Sequence, residues 1–226
     1  MNNRPKPAER IPFSMPTFAD DRARLAAARQ QLEILSRRRS VRDFSDQTVD
    51  ESIIQTAIRT ATMAPSGANQ QPWHFAVVRS KEIRQKIRRA AEAEEQAFYS
   101  NRAPQQWLDA LAPIGTDANK PFLETAPYLI AVFYQAWGID DDGSKIKHYY
   151  PVESIGLASG FLISALTAAG LATLTHTPSP MNFLRQILSR PENERPFILL
   201  VVGHPAPDAT VPKISKLDVD AVSSWH

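Results

Sequence analysis

Ser36-Arg37-Arg38-Arg39-Ser40-Val41-Arg42-Asp43-Phe44 places four guanidinium groups and two hydroxyls within the seven residues from Ser36 to Arg42. Guanidinium forks match phosphate oxygens in bidentate geometry, and serine hydroxyls add neutral donors to the same oxygens. Composition leaves two readings open: a built site for a phosphate, or a solvated basic turn or weak nucleic-acid patch at a helix end. The flanking chain decides between them.

Upstream, a helix is predicted over residues 20–35, where Leu25, Ala28, Leu32 and Leu35 recur at helical spacing and should pack on the core. Residues 1–19 carry prolines at 5, 7, 12 and 16, which fix backbone angles and remove donors, so this stretch reads as an extended arm. Downstream, Thr48-Val49-Asp50-Glu51 opens a helix through Ile53, Ile54, Ala57, Ile58 and Ala61, its acidic start suited to the positive end of the helix dipole. Prolines and a glycine then break it at Ala64-Pro65-Ser66-Gly67-Ala68-Asn69-Gln70-Gln71-Pro72-Trp73, a shaped loop leading into a buried strand at 74–78. Its small residues leave backbone donors exposed and give a planar ligand room to approach.

Residues 81–99 return to charged helical periodicity, and the pattern weakens over 100–120, where a mobile lid is expected. A strand at 128–133, an acidic loop at 138–144, an apolar helix at 152–169, a strand at 171–175, a short helix at 181–188 and a strand at 197–202 follow. The tail from Gly203 has prolines at 205, 207 and 212 and should run over a surface. Interleaved helices and strands predict an α+β fold, a mixed central sheet flanked by helices around one apolar helix.

The 226 residues allow one domain, 20–220, between the arm and a short tail at 221–226. With no cysteine, disulfides, thiolate metal sites and a cysteine nucleophile are excluded, which fits a reducing compartment. A formal charge of +2 from 26 basic and 24 acidic residues lacks the positive field of a nucleic-acid binder, so no nucleic-acid partner is expected. The apolar run over 155–174 is interrupted by Ser159, Ser164 and Thr167, which suits a buried helix; with no signal-like segment, no membrane partner and a cytoplasmic location are expected. The five histidines lack ligand-like spacing, and Asp140-Asp141-Asp142-Gly143 lacks the rest of an EF-hand loop, so no metal is expected.

Arg38-Arg39-Ser40-Val41-Arg42, followed by Thr62-Met63-Ala64-Pro65-Ser66-Gly67-Ala68 and Gln71-Pro72-Trp73, resembles the FMN-binding motifs of the nitroreductase superfamily. Glu95, Tyr99 and Lys120, with Lys147-His148-Tyr149-Tyr150, Thr173-Leu174-Thr175-His176-Thr177-Pro178 and Ala209-Thr210-Val211-Pro212, are similar in order and spacing to its iodotyrosine deiodinase family, in the soluble bacterial style. The resemblance implies a homodimer with exchanged terminal extensions, FMN as cofactor, a halotyrosine as substrate, and an electron donor that is NAD(P)H acting directly or through a reductase.

Residue by residue, it implies that Arg38, Arg39, Ser40, Val41 and Arg42 hold the flavin phosphate and polar edge, and that Pro65, Ser66 and Gly67 contact the ring. Thr175 and His176 line the same place through their backbones, and the Thr177 hydroxyl bonds flavin N5, a contact that favours one-electron steps. The resemblance further implies that Ala68 donates its backbone N–H to the substrate phenolate. Glu95, Tyr99 and Lys120 form a zwitterion clamp: Glu95 and Tyr99 are four apart and share a helix face, and Lys120 adds the opposite charge from the lid. By themselves Glu92, Glu94 and Glu95 also read as a solvated acidic face and Lys120 as a free loop lysine. His176 departs from the threonine-rich run of animal relatives, and Lys216 stands near the position of a family arginine without its bidentate reach. The competing expectations are an NAD(P)H-dependent nitroreductase or quinone reductase, which has no need of the clamp, and a flavin-binding protein without turnover.

Overall fold

Two apolar runs with period-two alternation build the middle of a four-stranded sheet. The computed structural model describes residues 8–140 and 142–226, without the side chains of residues 101, 102, 107, 108, 110 and 112. The arm's residues 1–7 and Asp141 of the acidic run therefore lie outside the described residues.

The chain divides into two units, residues 1–36 and 37–226. In the first, residues 8–18 have no regular structure and precede α1 (Asp21–Ser36), whose first turn is held by the Asp20 carboxylate accepting the Ala23 N–H at 2.8 Å. The helix is where periodicity puts it, and it buries no residue, with Leu25 and Leu32 of its apolar stripe exposed. Periodicity predicts an apolar stripe without saying which surface covers it.

The second unit runs α2 (Glu51–Ala61), β1 (Trp73–Val78), α3 (Lys81–Ala97), α4 (Gln105–Leu111), α5 (Phe122–Thr125), β2 (Tyr128–Gln135), β3 (Trp137–Ile139), β4 (Lys145–Lys147), α6 (Pro151–Ala168), β5 (Ala172–His176), α7 (Asn182–Ile187) and β6 (Glu194–Gly203). Local chemistry starts the helices. Asp50 caps α2 by accepting the Ser52 N–H at 2.7 Å, and Ser80 caps α3 by accepting that of Ile83 at 3.3 Å.

The sheet order is β1-β2-β6-β5. Tyr128, Ile130 and Val132 of β2 join Leu200 and Val202 of β6 in a core under α2 and α6, while Leu129, Ala131 and Phe133 join Leu199 and Val201 in a second core under α3, α5 and α7. Helices on both faces are why these strands read as continuous apolar runs. All four strands pair antiparallel, so the expected mixed character shrinks: among the described residues its parallel component is the Ser40–Thr173 bridge. That bridge, with Val41 N–H donating to Thr173 O at 3.2 Å, lays the arginine cluster along the edge of β5.

Other expectations shift with tertiary context. Residues 100–120 are not patternless: α3 runs into a π-helical turn at Phe98–Arg102, then α4 and a 3₁₀ turn at Ala112–Ile114. The acidic loop is the tip of the β3–β4 hairpin. By length and composition α6 could cross a membrane, yet Ser154, Ile155, Ala158, Ser159, Leu162 and Leu166 are buried at helical spacing on the sheet side. Its opposite face leaves Val152, Leu157 and Phe161 exposed.

Leu162 lies wholly inside the first core, so Leu162→Ala is expected to remove about 2–5 kcal/mol of stability. Urea unfolding measures this as a lower midpoint at unchanged slope.

Candidate functional site

The last two turns of α3, the entry to α5 and the end of β5 meet at a cavity of about 290 Å³. Glu95, Tyr99 and Lys120 line it together with Arg42, Thr175, His176 and Thr177. These residues are scattered over 136 positions of chain, from 42 to 177, and four different segments deliver them. Phe98, Leu111, Phe122 and Leu174 complete an apolar wall, and Thr116 and Ser179 add hydroxyls.

Lys120 is only 2 % exposed. Its ammonium lies 3.5 Å from the Glu95 carboxylate, donates to the Thr116 hydroxyl at 3.0 Å, and donates to the Asp117 carbonyl. Burial pulls the Lys120 ammonium below its ordinary range, and Glu95 opposes the shift by favouring the charged form. Burial likewise holds the Tyr99 phenol above its ordinary value, which keeps its proton available for donation. A buried, paired lysine and a carboxylate that is 14 % exposed are not the solvated charges that composition alone allowed.

His176 is the most perturbed of the lining groups. It is 7 % exposed, packs edge-on against Phe122 with ring centroids 5.7 Å apart, and leaves its buried Nε2 without a hydrogen-bond partner. Burial first, then the Lys120 and Arg42 charges, push it down to about 3. The imidazole is therefore neutral at physiological pH, and its unpartnered nitrogen in a site that also holds Arg42 suits a polar ligand.

Arg38, Arg39, Ser40, Val41 and Arg42 are all half-buried. Arg39 donates to the Pro212 carbonyl, fixing the cluster to the Thr210-Val211-Pro212 segment, while Arg42 also lines a second cavity of about 430 Å³ with Thr210, Val211 and Pro212. Guanidinium groups, a serine hydroxyl and backbone at a sheet edge form a donor set that fits a phosphate-bearing planar cofactor such as FMN.

The Pro65–Ala68 turn stands apart and does not line the 290 Å³ cavity. Ala68, Asn69 and Gln71 adopt positive φ values of 50°, 53° and 49°, a concentration of backbone strain of the kind that gathers at functional sites. The Ser66 hydroxyl accepts the Gln71 N–H at 3.0 Å, and the Gln70 carboxamide accepts the Tyr149 N–H at 2.7 Å. The room left by Gly67 is used by protein: a Cβ there would come 2.4 Å from the Tyr149 carbonyl oxygen. The Ala68 N–H has no acceptor among the described residues. Lys216 is exposed on the tail and lines neither cavity.

Sequence reasoning missed Thr116, Phe122, Leu111 and Ser179, whose types are ordinary and whose spacing carries no motif. Phe122 alone had a signal, standing two residues after Lys120 on the short α5. Among the described residues, no group of three or more metal-ligating side chains occurs.

The nitroreductase family profile matches residues 35–204. An iodotyrosine deiodinase of Haliscomenobacter hydrossis is 49 % identical over 212 residues, covering 94 % of this chain and 95 % of that protein. The human iodotyrosine deiodinase 1 is 39 % identical, covering 95 % of this chain and 74 % of its own. A crystal structure of oxidized iodotyrosine deiodinase bound to FMN and 3-iodo-L-tyrosine superposes with a TM-score of 0.73 at 31 % identity, over 84 % of this chain and 96 % of that one. A nitroreductase with bound FMN from Desulfitobacterium hafniense shares the fold, with a TM-score of 0.64 at 21 % identity over 87 % of this chain and 98 % of that one.

The His176 shift has a signed consequence. Its folded value lies below the ordinary 6.5, so under about pH 6.5 the unfolded chain takes up a proton that the folded chain refuses, and stability is lost as pH falls toward about 3. His74, also lowered by burial, acts in the same direction. His176→Gln is expected to reduce the drop in unfolding free energy between pH 7 and pH 4.5 by about 1–3 kcal/mol, read from denaturant titrations at the two pH values.

Proposed function

The chain belongs to the nitroreductase family and groups within it with the iodotyrosine deiodinases, and on that premise we propose that it is an FMN-dependent reductive dehalogenase of halogenated tyrosine. The observation that carries the reading is the Glu95–Lys120 pair, buried with Tyr99 in the same cavity as Arg42 and the end of β5. A reductase of simple nitroaromatics or quinones has no use for a paired anion and cation at its substrate cavity.

The pair suits an amino acid zwitterion. Substrate ammonium takes the Glu95 carboxylate, and substrate carboxylate takes the Lys120 ammonium and the Tyr99 hydroxyl. One buried pair becomes two, so no charge is left unanswered in a place where an unpaired ion is costly. Phe98, Leu111 and Phe122 keep water from the ring, and residues 100–120 act as the lid that carries Lys120.

Arg38, Arg39, Ser40 and Arg42 would hold the FMN phosphate and polar edge, with the Val41 backbone fixing their register on β5. Thr175, His176 and Thr177 would meet the ring, the Thr177 hydroxyl at N5. When bound, FMN supplies the two electrons that, with a proton, replace the carbon–halogen bond by carbon–hydrogen and release halide; NAD(P)H, directly or through a reductase, restores them.

The Ala68 N–H is a free donor for the substrate phenolate. Because its turn is outside the cavity of its own chain, we place it in the site of a second copy, in a homodimer whose arm and tail are exchanged. Support for that assembly is the exposed apolar surface on α6 and on both extensions, including Ile11, Phe13, Leu217 and Trp225. Lys216 would join the phosphate contacts from such a tail.

Chemically reduced, oxygen-free protein mixed with 3-iodotyrosine is expected to release iodide in step with tyrosine formation; reduction of nitroaromatics by NAD(P)H without any iodide would overturn the reading. Glu95→Gln is expected to weaken iodotyrosine binding by about 10–100-fold with FMN content unchanged, measured by titrating substrate against flavin fluorescence. Unaltered affinity would remove Glu95 from the clamp.

A further inference from the structure

Glu92 is one helical turn before Glu95 on α3, and sequence alone makes it a solvated acid. The structure gives it a partner of another kind. Its Oε1 accepts the backbone N–H of Lys120 at 2.7 Å, across 28 positions of chain, and the Arg88 Nε–H at 2.7 Å. Arg88 reaches further: Nη2–H donates to the Asn119 side-chain oxygen at 2.9 Å, and Nη1–H faces Glu124 of α5 at 3.4 Å.

Arg88, Glu92 and Glu95 stand at spacings of four and three on one face of α3, and Tyr99 follows four residues on, in the π-helical turn that continues it. The C-terminal half of that stripe addresses the Lys120 side chain and the cavity; the N-terminal half addresses the backbone that bears Lys120. Arg88 contacts the residue before Lys120 and the helix after it, and Glu92 takes the N–H of Lys120 itself. Arg88 and Glu92 side chains are 26 % and 27 % exposed, so both hydrogen bonds are partly shielded from water. Burial acts most strongly on the Glu92 carboxyl and raises it, but the Lys120 N–H, the Arg88 hydrogen bond and the two positive charges together hold it below the ordinary carboxylate range.

We infer that Glu92, oriented by Arg88, is a positioning residue for Lys120: by accepting the Lys120 N–H it sets where the ammonium is presented to the substrate carboxylate. The inference rests on the reading of Lys120 as a substrate contact. Neither Glu92 nor Arg88 lines the cavity, so both act through Lys120. A flexible lysine stem can reach many places, and fixing its backbone limits the entropy lost when the ammonium engages a ligand.

The test is a double-mutant cycle on the FMN-loaded protein, with iodotyrosine affinity read from flavin fluorescence and unfolding midpoint read alongside. Lys120→Met is expected to weaken binding by at least tenfold. Glu92→Met, which removes the acceptor, is expected to weaken it by about five- to tenfold in the native background and by less than twofold in the Lys120→Met background. Glu92→Gln, which keeps an acceptor for the Lys120 N–H, is expected to restore most of the loss. Arg88→Gln, which keeps Glu92 but removes its orientation, gives a smaller loss with the same dependence on Lys120, and carries the test should Glu92→Met not fold. Equal losses for Glu92→Met in both backgrounds would assign Glu92 to general support of the lid and overturn the inference, as would unchanged binding in both Glu92→Met and Arg88→Gln. If Lys120→Met itself binds iodotyrosine normally, the clamp fails, and the inference with it; halide release by the native protein tests the dehalogenase reading separately.

Discussion

A lysine ammonium almost wholly withdrawn from water must have its charge answered within a few ångströms, and Lys120 meets that constraint with three groups from two segments. Glu95 supplies the opposite charge from α3, while Thr116 and the Asp117 carbonyl supply oxygens from the segment just before Lys120. The backbone of the same residue is tied to α3 through Glu92. One buried cation thereby joins α3, the Thr116–Asp117 segment and the entry to α5 into a single arrangement. The same groups that stabilise it are those able to receive a zwitterion.

The sheet supplies the rigid floor. β2 and β6 carry alternating apolar residues into cores on both faces, so their register is fixed: a slip by one residue would interchange the two cores. β5 pairs with β6 on one side and takes the Ser40 bridge on the other. This puts the guanidinium cluster beside the strand that ends at His176, and the cavity forms where that strand end faces α3 and α5. His176, neutral and without a partner at Nε2, feels the charges of both Lys120 and Arg42.

Much of this was legible. The start of α2 follows from the acidic residues at Asp50 and Glu51, and the two central strands follow from the apolar runs at 128–133 and 197–202, the second of which the structure extends back to Glu194. Glu95 and Tyr99 had to share a face because residues four apart on a helix do. Residues 100–120 were less legible: short helical turns with prolines between them leave too few periods to recognise. The stripe on α1 was read correctly as a helix, while amphipathicity reports that a surface is needed and not which one.

Sequence by itself determined the longer helices and the sheet strands with their approximate ends, and the donor chemistry of Arg38 to Arg42, because these depend on neighbours within a turn or two of chain. Tertiary structure decided that Lys120 is buried rather than a free loop lysine, that Glu92 holds its backbone rather than facing solvent, and that the Ser66–Ala68 turn stands away from the cavity of its own chain. Each of those depends on burial and on contacts between segments distant in sequence, and a local pattern carries no record of either.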